Sequence, residues 1–481
     1  MNLYLNGLPH VYELQRLAQM FFFGEKVLAQ EGATQPEEEY LEVRQEGHKL
    51  CARVCLQGRD ATAWDEQEPD DDALEQERKL AVLLFDLLKQ ATGFTPPWGI
   101  LTGVRPIKFL THGLAQGASE QQLRRHYVEE CLVREDRFAL AMQTANIEHP
   151  LLARSTPDSV SLYVSIPFCP TRCAYCSFVS HSVERAAKLI PEYVDRLCME
   201  LVHTSAIVRR LGLKLRTIYF GGGTPTTLSA PQLERIMQTL ADQFDLGQLW
   251  EYTIEAGRPD TITPEKLQLI QRMAPDARIS LNPQTLSDCV LQTIGRRHTT
   301  AQLREAFALA RDCGLKNINM DLIAGLPTDT QESFQASVDG VIAMQPENIT
   351  VHTLTVKRAA ALTFAQARAQ VELVGGMVDY ARQALATAGF APYYLYRQTG
   401  SLSCLENVGY SKAGFEGLYN IYIMDETHSI FAVGAGASTK LMNPQTKKLE
   451  RIFNYKYPYE YISRFPVALE RKDRILEFYD A

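Results

Sequence analysis

Cys169, Cys173 and Cys176 stand in the run Tyr163-Val-Ser-Ile-Pro-Phe-Cys-Pro-Thr-Arg-Cys-Ala-Tyr-Cys-Ser-Phe178. Their C-x3-C-x2-C spacing brings three thiols to one side of a single loop. Three thiolates so placed can hold three irons of a four-iron, four-sulfur cluster. The fourth iron is then left without a protein ligand, and an open metal position is a reaction site. Structural zinc needs four ligands, and no second cysteine pair or closely spaced histidine pair lies nearby. A disulfide would leave one thiol over. The remaining cysteines, Cys51, Cys55, Cys131, Cys198, Cys289, Cys313 and Cys404, are scattered and read as reduced, partly buried residues.

A second element of chemical interest is Phe220-Gly221-Gly222-Gly223-Thr224-Pro225-Thr226. Consecutive glycines let the backbone turn sharply and bring its own amides and carbonyls against a ligand, although a strand-to-helix turn alone would also account for them. The pattern around both motifs is a repeat of strand then helix. Residues 159 to 165, 216 to 220, 251 to 255, 277 to 281, 316 to 323 and 348 to 353 are short and rich in β-branched or aromatic types. Helical segments lie between them at 186 to 211, 230 to 244, 263 to 273, 285 to 294, 300 to 313 and 329 to 344. Six such units in series imply an α/β fold with a parallel sheet and helices outside. In that fold the loops at the carboxyl ends of the strands carry the chemistry. The cysteine loop follows the first strand, and the glycine turn follows the second.

Length and composition set the frame. A chain of 481 residues is too long for one ordinary core and implies two or three domains. The expected division is an N-terminal α+β domain over 1–155, a barrel over 156–395 and a smaller C-terminal region over 396–481. Residues 2 to 6 and 48 to 56 read as strands and 73 to 91 as a helix, separated by the acidic stretch Asp65 to Asp72, which reads as a solvated loop. A net charge of −8 offers no global footprint for nucleic acid. The start of the sequence has no basic segment leading into an apolar run, and no apolar run is long enough to span a bilayer. The expectation is a cytoplasmic protein.

With these motifs in place, the chain resembles the radical S-adenosylmethionine (SAM) enzymes of the oxygen-independent coproporphyrinogen III oxidase superfamily (HemN-like), and most of all their HemZ branch. The resemblance spans about residues 157 to 440. It rests on Tyr163-x-x-Ile-Pro-Phe-Cys, the cysteine trio, Gly-Gly-Gly-Thr-Pro-Thr, Thr253-Ile-Glu-Ala-Gly-Arg-Pro259, Ile279-Ser-Leu-Asn-Pro-Gln284 and Asn319-Met-Asp-Leu-Ile-Ala-Gly-Leu-Pro327, in that order. Gly99 to Pro106, Tyr394 to Gln398 and Glu406 to Tyr410 also look like that branch.

The resemblance implies a radical SAM partial (β/α)6 barrel with a [4Fe-4S] cluster and SAM as cofactors. Cys169, Cys173 and Cys176 would be the metal ligands. Gly222, Gly223, Thr224, Tyr175, Glu255, Gln284, Arg296 and Asp321 would bind the cofactor. Tyr163, Lys357, Arg358 and Arg397 would serve the substrate, with Tyr394 and Tyr396 beside them, because a tetrapyrrole with propionate arms needs cationic and phenolic donors. The implied reaction is oxidative decarboxylation of coproporphyrinogen III propionates to vinyls through a 5′-deoxyadenosyl radical, in heme biosynthesis. An electron donor such as flavodoxin or ferredoxin would be the protein partner.

Three departures from the family pattern keep alternatives open. Phe178 stands where oxygen-independent coproporphyrinogen oxidases carry a fourth cysteine. Tyr419-Asn-Ile-Tyr-Ile-Met424 stands where the heme-chaperone branch shows His-Asn-x-x-Tyr-Trp. Ser165 replaces a histidine and could imply a different substrate contact. A heme-binding trafficking protein, and another radical SAM enzyme acting on a tetrapyrrole, therefore stand beside the decarboxylase. His298 and His352 are the histidines nearest the site and read as packed or supporting residues.

Overall fold

The structure is a computed structural model and describes residues 1–8, 12–22, 25–32, 38–176, 180–354, 364–398, 405–443 and 445–480. The expectations placed on Phe178, Lys357, Arg358 and Cys404 lie outside these residues. By contact density the chain forms two units: Met1–Asn146 with Thr353–Asp379 and Leu395–Asn407, and Ile147–His352 with Tyr380–Tyr394 and Val408–Ala481.

The first unit contains a sheet of β1 (Asn2–Asn6), β2 (Leu28–Glu31), β3 (Tyr40–Glu46), β4 (Lys49–Leu56) and β5 (Arg59–Glu66), in the order β2-β1-β3-β4-β5. Side-chain alternation along β1 and β3 presents Leu3, Leu5, Leu41 and Val43 to a core shared with Leu84, Phe85 and Leu88 of helix Ala73–Thr92. Each such side chain contributes roughly 1.5–3 kcal/mol on leaving water. The acidic stretch expected as a loop begins as strand, because β5 runs to Glu66 and sets it opposite Lys49, an opposite-charge cross-strand pair. Its last residue caps the helix: the Asp72 carboxylate accepts from Glu75 N at 2.9 Å.

The second unit is built on β6 (Ser159–Ile166), the short β7 (Phe168–Cys169) and β8 (His181–Ser182), β9 (Lys214–Gly222), β10 (Glu251–Glu255), β11 (Arg278–Ser280), β12 (Asn317–Ala324), β13 (Asn348–Thr353), β14 (Ala391–Arg397), β15 (Glu406–Ser411), β16 (Ser429–Val433), β17 (Ser438–Met442) and β18 (Leu449–Phe453), with Thr353, Leu395–Arg397 and Glu406–Asn407 at strand ends assigned to the first unit. The sheet order is β14-β15-β13-β12-β11-β10-β9-β6-β16-β17-β18. Its parallel centre contains the six expected strands as neighbours, β6, β9, β10, β11, β12 and β13. The strands after residue 395 continue the same sheet, with β15 antiparallel to β13 and β16 parallel to β6.

Alternation along the parallel strands sorts their residues by chemistry. Val160, Leu162, Val164, Ile218, Phe220, Ile254, Ile279, Ile318, Met320 and Leu322 are buried on one side, as strands covered by helices require. Their alternates are mostly polar: Ser161, Tyr163, Thr217, Tyr219, Glu251, Thr253, Glu255, Arg278, Ser280, Asn319 and Asp321. These pair across strands, as in Thr217 Oγ1 to Ser161 Oγ at 2.7 Å and Thr350 Oγ1 to Asn319 Oδ1 at 3.1 Å. A polar inner face is costly unless its groups are satisfied, so it marks the side where a ligand can be held.

Helix Leu418–Asp425 meets this polar face. The Glu251 carboxylate, on the first residue of β10, accepts from the backbone amides of Leu418 and Tyr419. The Tyr419 ring stacks on Tyr219 at 4.6 Å and on Tyr163 at 6.3 Å between centroids, and those two stack on each other at 6.1 Å. Among the described residues, no helix is long and apolar enough to cross a membrane.

Candidate active site

The cysteine loop leaves β6 and is laced to the glycine turn that leaves β9. Gly223 N donates to Ile166 O at 2.8 Å and Thr224 N to Phe168 O at 2.7 Å, while Thr224 Oγ1 lies 3.5 Å from Cys169 Sγ. Only glycine fits here. A Cβ on Gly223 would stand 2.4 Å from Phe168 O, and Gly222 adopts φ +101° with Ser165 Oγ in the way of any side chain. Ser165, which stands where the family pattern has a histidine, is buried and donates to Ala435 O at 2.8 Å.

Cys173 is buried, and Arg258 Nη2 donates to its Sγ at 3.0 Å and to Thr171 O at 2.8 Å. Tyr175 lies within hydrogen-bonding reach of the same thiol and of Arg296, and burial pushes its phenol up. Arg296 Nη1 donates to the Asn282 and Gly257 carbonyls. His298 is buried beside these arginines, and burial followed by their charge pushes its imidazole down to about 3, so it is neutral. Among the described residues, no three His, Cys, Asp or Glu side chains converge to hold a single metal ion; a four-iron cluster asks less, since its thiolates bind different irons.

Glu255 ends β10, and Asp321 lies in the middle of β12. Tyr219 donates its phenolic hydrogen to Glu255 Oε1, and Asn282 Nδ2 donates to Oε2 at 2.9 Å. Burial, and next the charge of Asp321, push the Glu255 carboxyl up to about 7. Burial also works against the Asp321 anion, but His352, 3.7 Å away, and the bond from Asn319 Nδ2 at 2.8 Å outweigh it. Asp321 therefore stays ionised and Glu255 takes the proton first. Gln284 follows β11 with φ +69°, a strained conformation for a residue with a side chain; its N donates to Asp321 O at 2.8 Å and its O accepts from Ile323 N at 2.9 Å.

The structure thus brings together Cys169, Cys173, Tyr175, Gly222, Gly223, Thr224, Glu255, Gln284, Arg296 and Asp321 on strands of the second unit and the loops that follow them, with Cys176 one turn after Cys173. Tyr163 lies below them in the aromatic stack. Arg397 is used otherwise: it is buried in the first unit, where Nη1 donates to Leu101 O and Nη2 lies 3.4 Å from Met20 Sδ. Tyr394 is packed against Tyr393 at 5.0 Å and covers Gly409. Asn407 Nδ2 donates to Tyr396 O at 3.4 Å. Arg258, Asn282 and Tyr219 were not singled out from sequence, though the first two sit inside the quoted motifs and Tyr219 occupies an alternate strand position.

A cavity of about 570 Å³ opens beside the cysteine loop, with Thr171 and Arg172 on one wall and Gly295 to Thr299 on another.

Residues 163–340 match the radical SAM superfamily. Over 405 residues the chain is 38% identical to the oxygen-independent coproporphyrinogen-III oxidase-like protein HemZ of Bacillus subtilis (strain 168), a match that covers 83% of this chain and 80% of that protein. The chain belongs to the HemZ branch of the radical SAM superfamily. It is also 32% identical over 300 residues to the heme chaperone HemW of Lactococcus lactis, covering 61% of this chain and 73% of that protein. In fold it is similar to the coproporphyrinogen III oxidase HemN of Escherichia coli, with a TM-score of 0.51 and 22% identity over 66% of this chain and 72% of that one.

HemZ-branch members share the cofactors of the superfamily, a [4Fe-4S] cluster and SAM. The residues present fit both. Arg258 Nη1, Arg296 Nε and Asn282 Oδ1 are buried with no hydrogen-bond partner among the described residues, which leaves two donors near Cys173 and one acceptor beside Glu255 for a bound group. The adjacent Glu255 and Asp321 carboxyls suit a cationic ligand, and a sulfonium or ammonium supplies that charge.

Proposed function

We propose that this protein is a radical SAM oxidoreductase that decarboxylates the propionate side chains of coproporphyrinogen III to vinyls without oxygen. When bound, the cluster and SAM supply one-electron chemistry able to break an unactivated C–H bond. The chain's own part is to bind, orient and exclude water. Cys169, Cys173 and Cys176 hold the cluster. Gly222, Gly223 and Thr224 present backbone to the methionyl end of SAM, Arg296 offers Nε to its carboxylate, and Glu255 and Asp321 accept from its ammonium and hydroxyls. Tyr163, Tyr219 and Tyr419 close the interior beneath the site and keep water from the reacting carbon. An electron donor of flavodoxin or ferredoxin type meets the cysteine loop at the cavity, where Arg172 and Arg297 are exposed.

The observation that favours an enzyme over a heme-trafficking protein is Tyr419. Its side chain is buried and locked in the stack with Tyr163 and Tyr219, at the position where the heme-chaperone branch carries a histidine suited to heme iron. The test is anaerobic incubation of the reconstituted protein with SAM, a reductant and coproporphyrinogen III, with 5′-deoxyadenosine, CO2 and vinyl products followed by mass. Equivalent release of CO2 and 5′-deoxyadenosine is the expected result. SAM cleavage with a modified tetrapyrrole but no CO2 points to a different tetrapyrrole reaction, and stoichiometric heme binding with no product points to trafficking.

A further inference from the structure

Arg258 is placed to act on the cluster without being one of its ligands. It stands at the turn leaving β10, is 3% exposed, and is fixed at its backbone by Thr261, whose N and Oγ1 donate to Arg258 O at 2.9 and 2.8 Å. From there one nitrogen, Nη2, donates both to Cys173 Sγ and to the carbonyl of Thr171, inside the cysteine loop. The other terminal nitrogen, Nη1, is buried and has no hydrogen-bond partner among the described residues. A guanidinium with one donor on a ligand thiolate and a second left open beside it is matched to an anionic sulfur-rich group.

Resting on the reading of Cys169, Cys173 and Cys176 as cluster ligands, we infer that Arg258 is a positioning residue that raises the reduction potential of the cluster, making its one-electron reduction easier. Reduction adds one electron, taken from an external one-electron donor, and makes the cluster and its thiolates one unit more negative. A fixed positive charge 3.0 Å from a ligand sulfur, in surroundings of low dielectric, favours the more negative state. Hydrogen bonds to the sulfurs and burial are the recognised means by which protein sets such potentials. Arg296 also hydrogen-bonds Cys173 while its Nη1 is taken by the Asn282 and Gly257 carbonyls, so Arg258→Gln removes one of two positive charges beside that sulfur.

The experiment is an equilibrium redox titration of the reconstituted full-length protein, free of SAM and tetrapyrrole, followed by the electron paramagnetic resonance of the reduced cluster. Arg258→Gln removes the charge while keeping an N–H donor. At a fixed ambient potential it should lower the reduced-to-oxidised ratio about tenfold, a shift of ~59 mV to more negative values. Arg258→Lys, which keeps the charge, should stay closer to wild type. An Arg258→Gln cluster with wild-type iron content and an unchanged midpoint overturns the inference and leaves the ligand assignment intact. Failure of the wild-type protein to assemble a cluster overturns the ligand assignment itself. If the glutamine variant assembles no cluster, the lysine variant decides: a cluster with a near wild-type midpoint supports the role of the charge, and its loss there too makes Arg258 a strut of the loop.

Discussion

The phenol of Tyr219 on β9 donates its hydrogen to the carboxylate of Glu255 on the neighbouring β10. The same ring stacks on Tyr419 at 4.6 Å and on Tyr163 at 6.1 Å, so packing holds the phenol against the carboxylate. Burial and Asp321 push Glu255 up to about 7, and the Tyr219 bond works in the opposite direction. A cation in the site is held by the ionised form, so SAM affinity should fall about tenfold per pH unit below about 7. Tyr219→Phe removes a hydrogen bond that favours the anion and should move the midpoint to higher pH. Equilibrium dialysis of SAM across this range checks both, and a flat profile in wild type would remove Glu255 from the binding site. Because the folded carboxyl lies above its ordinary value of 4.5, the unliganded protein should lose stability as pH rises from about 4.5 through about 7.

Cluster assembly should be sensitive to the glycine turn as well as to the thiols. Cys173→Ala is expected to abolish the iron–sulfur absorbance. Gly223→Ala places a methyl group 2.4 Å from Phe168 O and 2.8 Å from Phe168 N and C, atoms of backbone that cannot rotate away. That variant should fold yet bind clearly less iron and sulfide, because β7 and Cys169 must move. Iron and sulfide analysis after anaerobic reconstitution is the measurement, and full occupancy in either variant would contradict the assignment.

Lys472, on the C-terminal helix, is buried and pairs with the buried Glu200 at 3.3 Å. Glu200 also accepts from Tyr461 OH at 2.6 Å, Asn454 Nδ2 at 2.8 Å and Gly434 N at 2.7 Å. Removing one partner of such a pair strands the other charge and costs about 3–5 kcal/mol. Lys472→Met should therefore lower the thermal midpoint of the second unit by several degrees. Calorimetry or circular dichroism under anaerobic conditions reads this, and an unchanged midpoint would show the pair to be dispensable.

In the first unit Glu406 accepts from Trp98 Nε1 at 2.8 Å and pairs with Arg137 Nε at 3.1 Å. Arg137 also reaches Asp379 at 2.9 Å and Asp136 at 2.6 Å. Glu406→Ala leaves a buried guanidinium and an indole donor short of a partner, at a cost of about 3–5 kcal/mol. Limited proteolysis should then cut the N-terminal unit earlier than the barrel. Equal protection of both in the variant would argue against this role.

The cysteine loop and the order of the parallel strands can be read along the chain. Cysteine spacing is local, so the loop was legible; six strand–helix repeats are periodic, so the parallel sheet was legible too, and all six strands lie within two residues of where periodicity puts them. What depends on non-local packing emerges only in the folded protein. Arg258 reaches Cys173 across 85 residues, and Tyr419 enters the polar inner face from a helix that periodicity did not connect with it. Arg397, read as a substrate contact, turned out to be buried in the first unit, since charge type alone does not say which side of a strand meets which core. A local motif is encoded by neighbours in the chain, whereas a hydrogen bond to a ligand sulfur or a stack of three rings exists only once distant strands are set side by side.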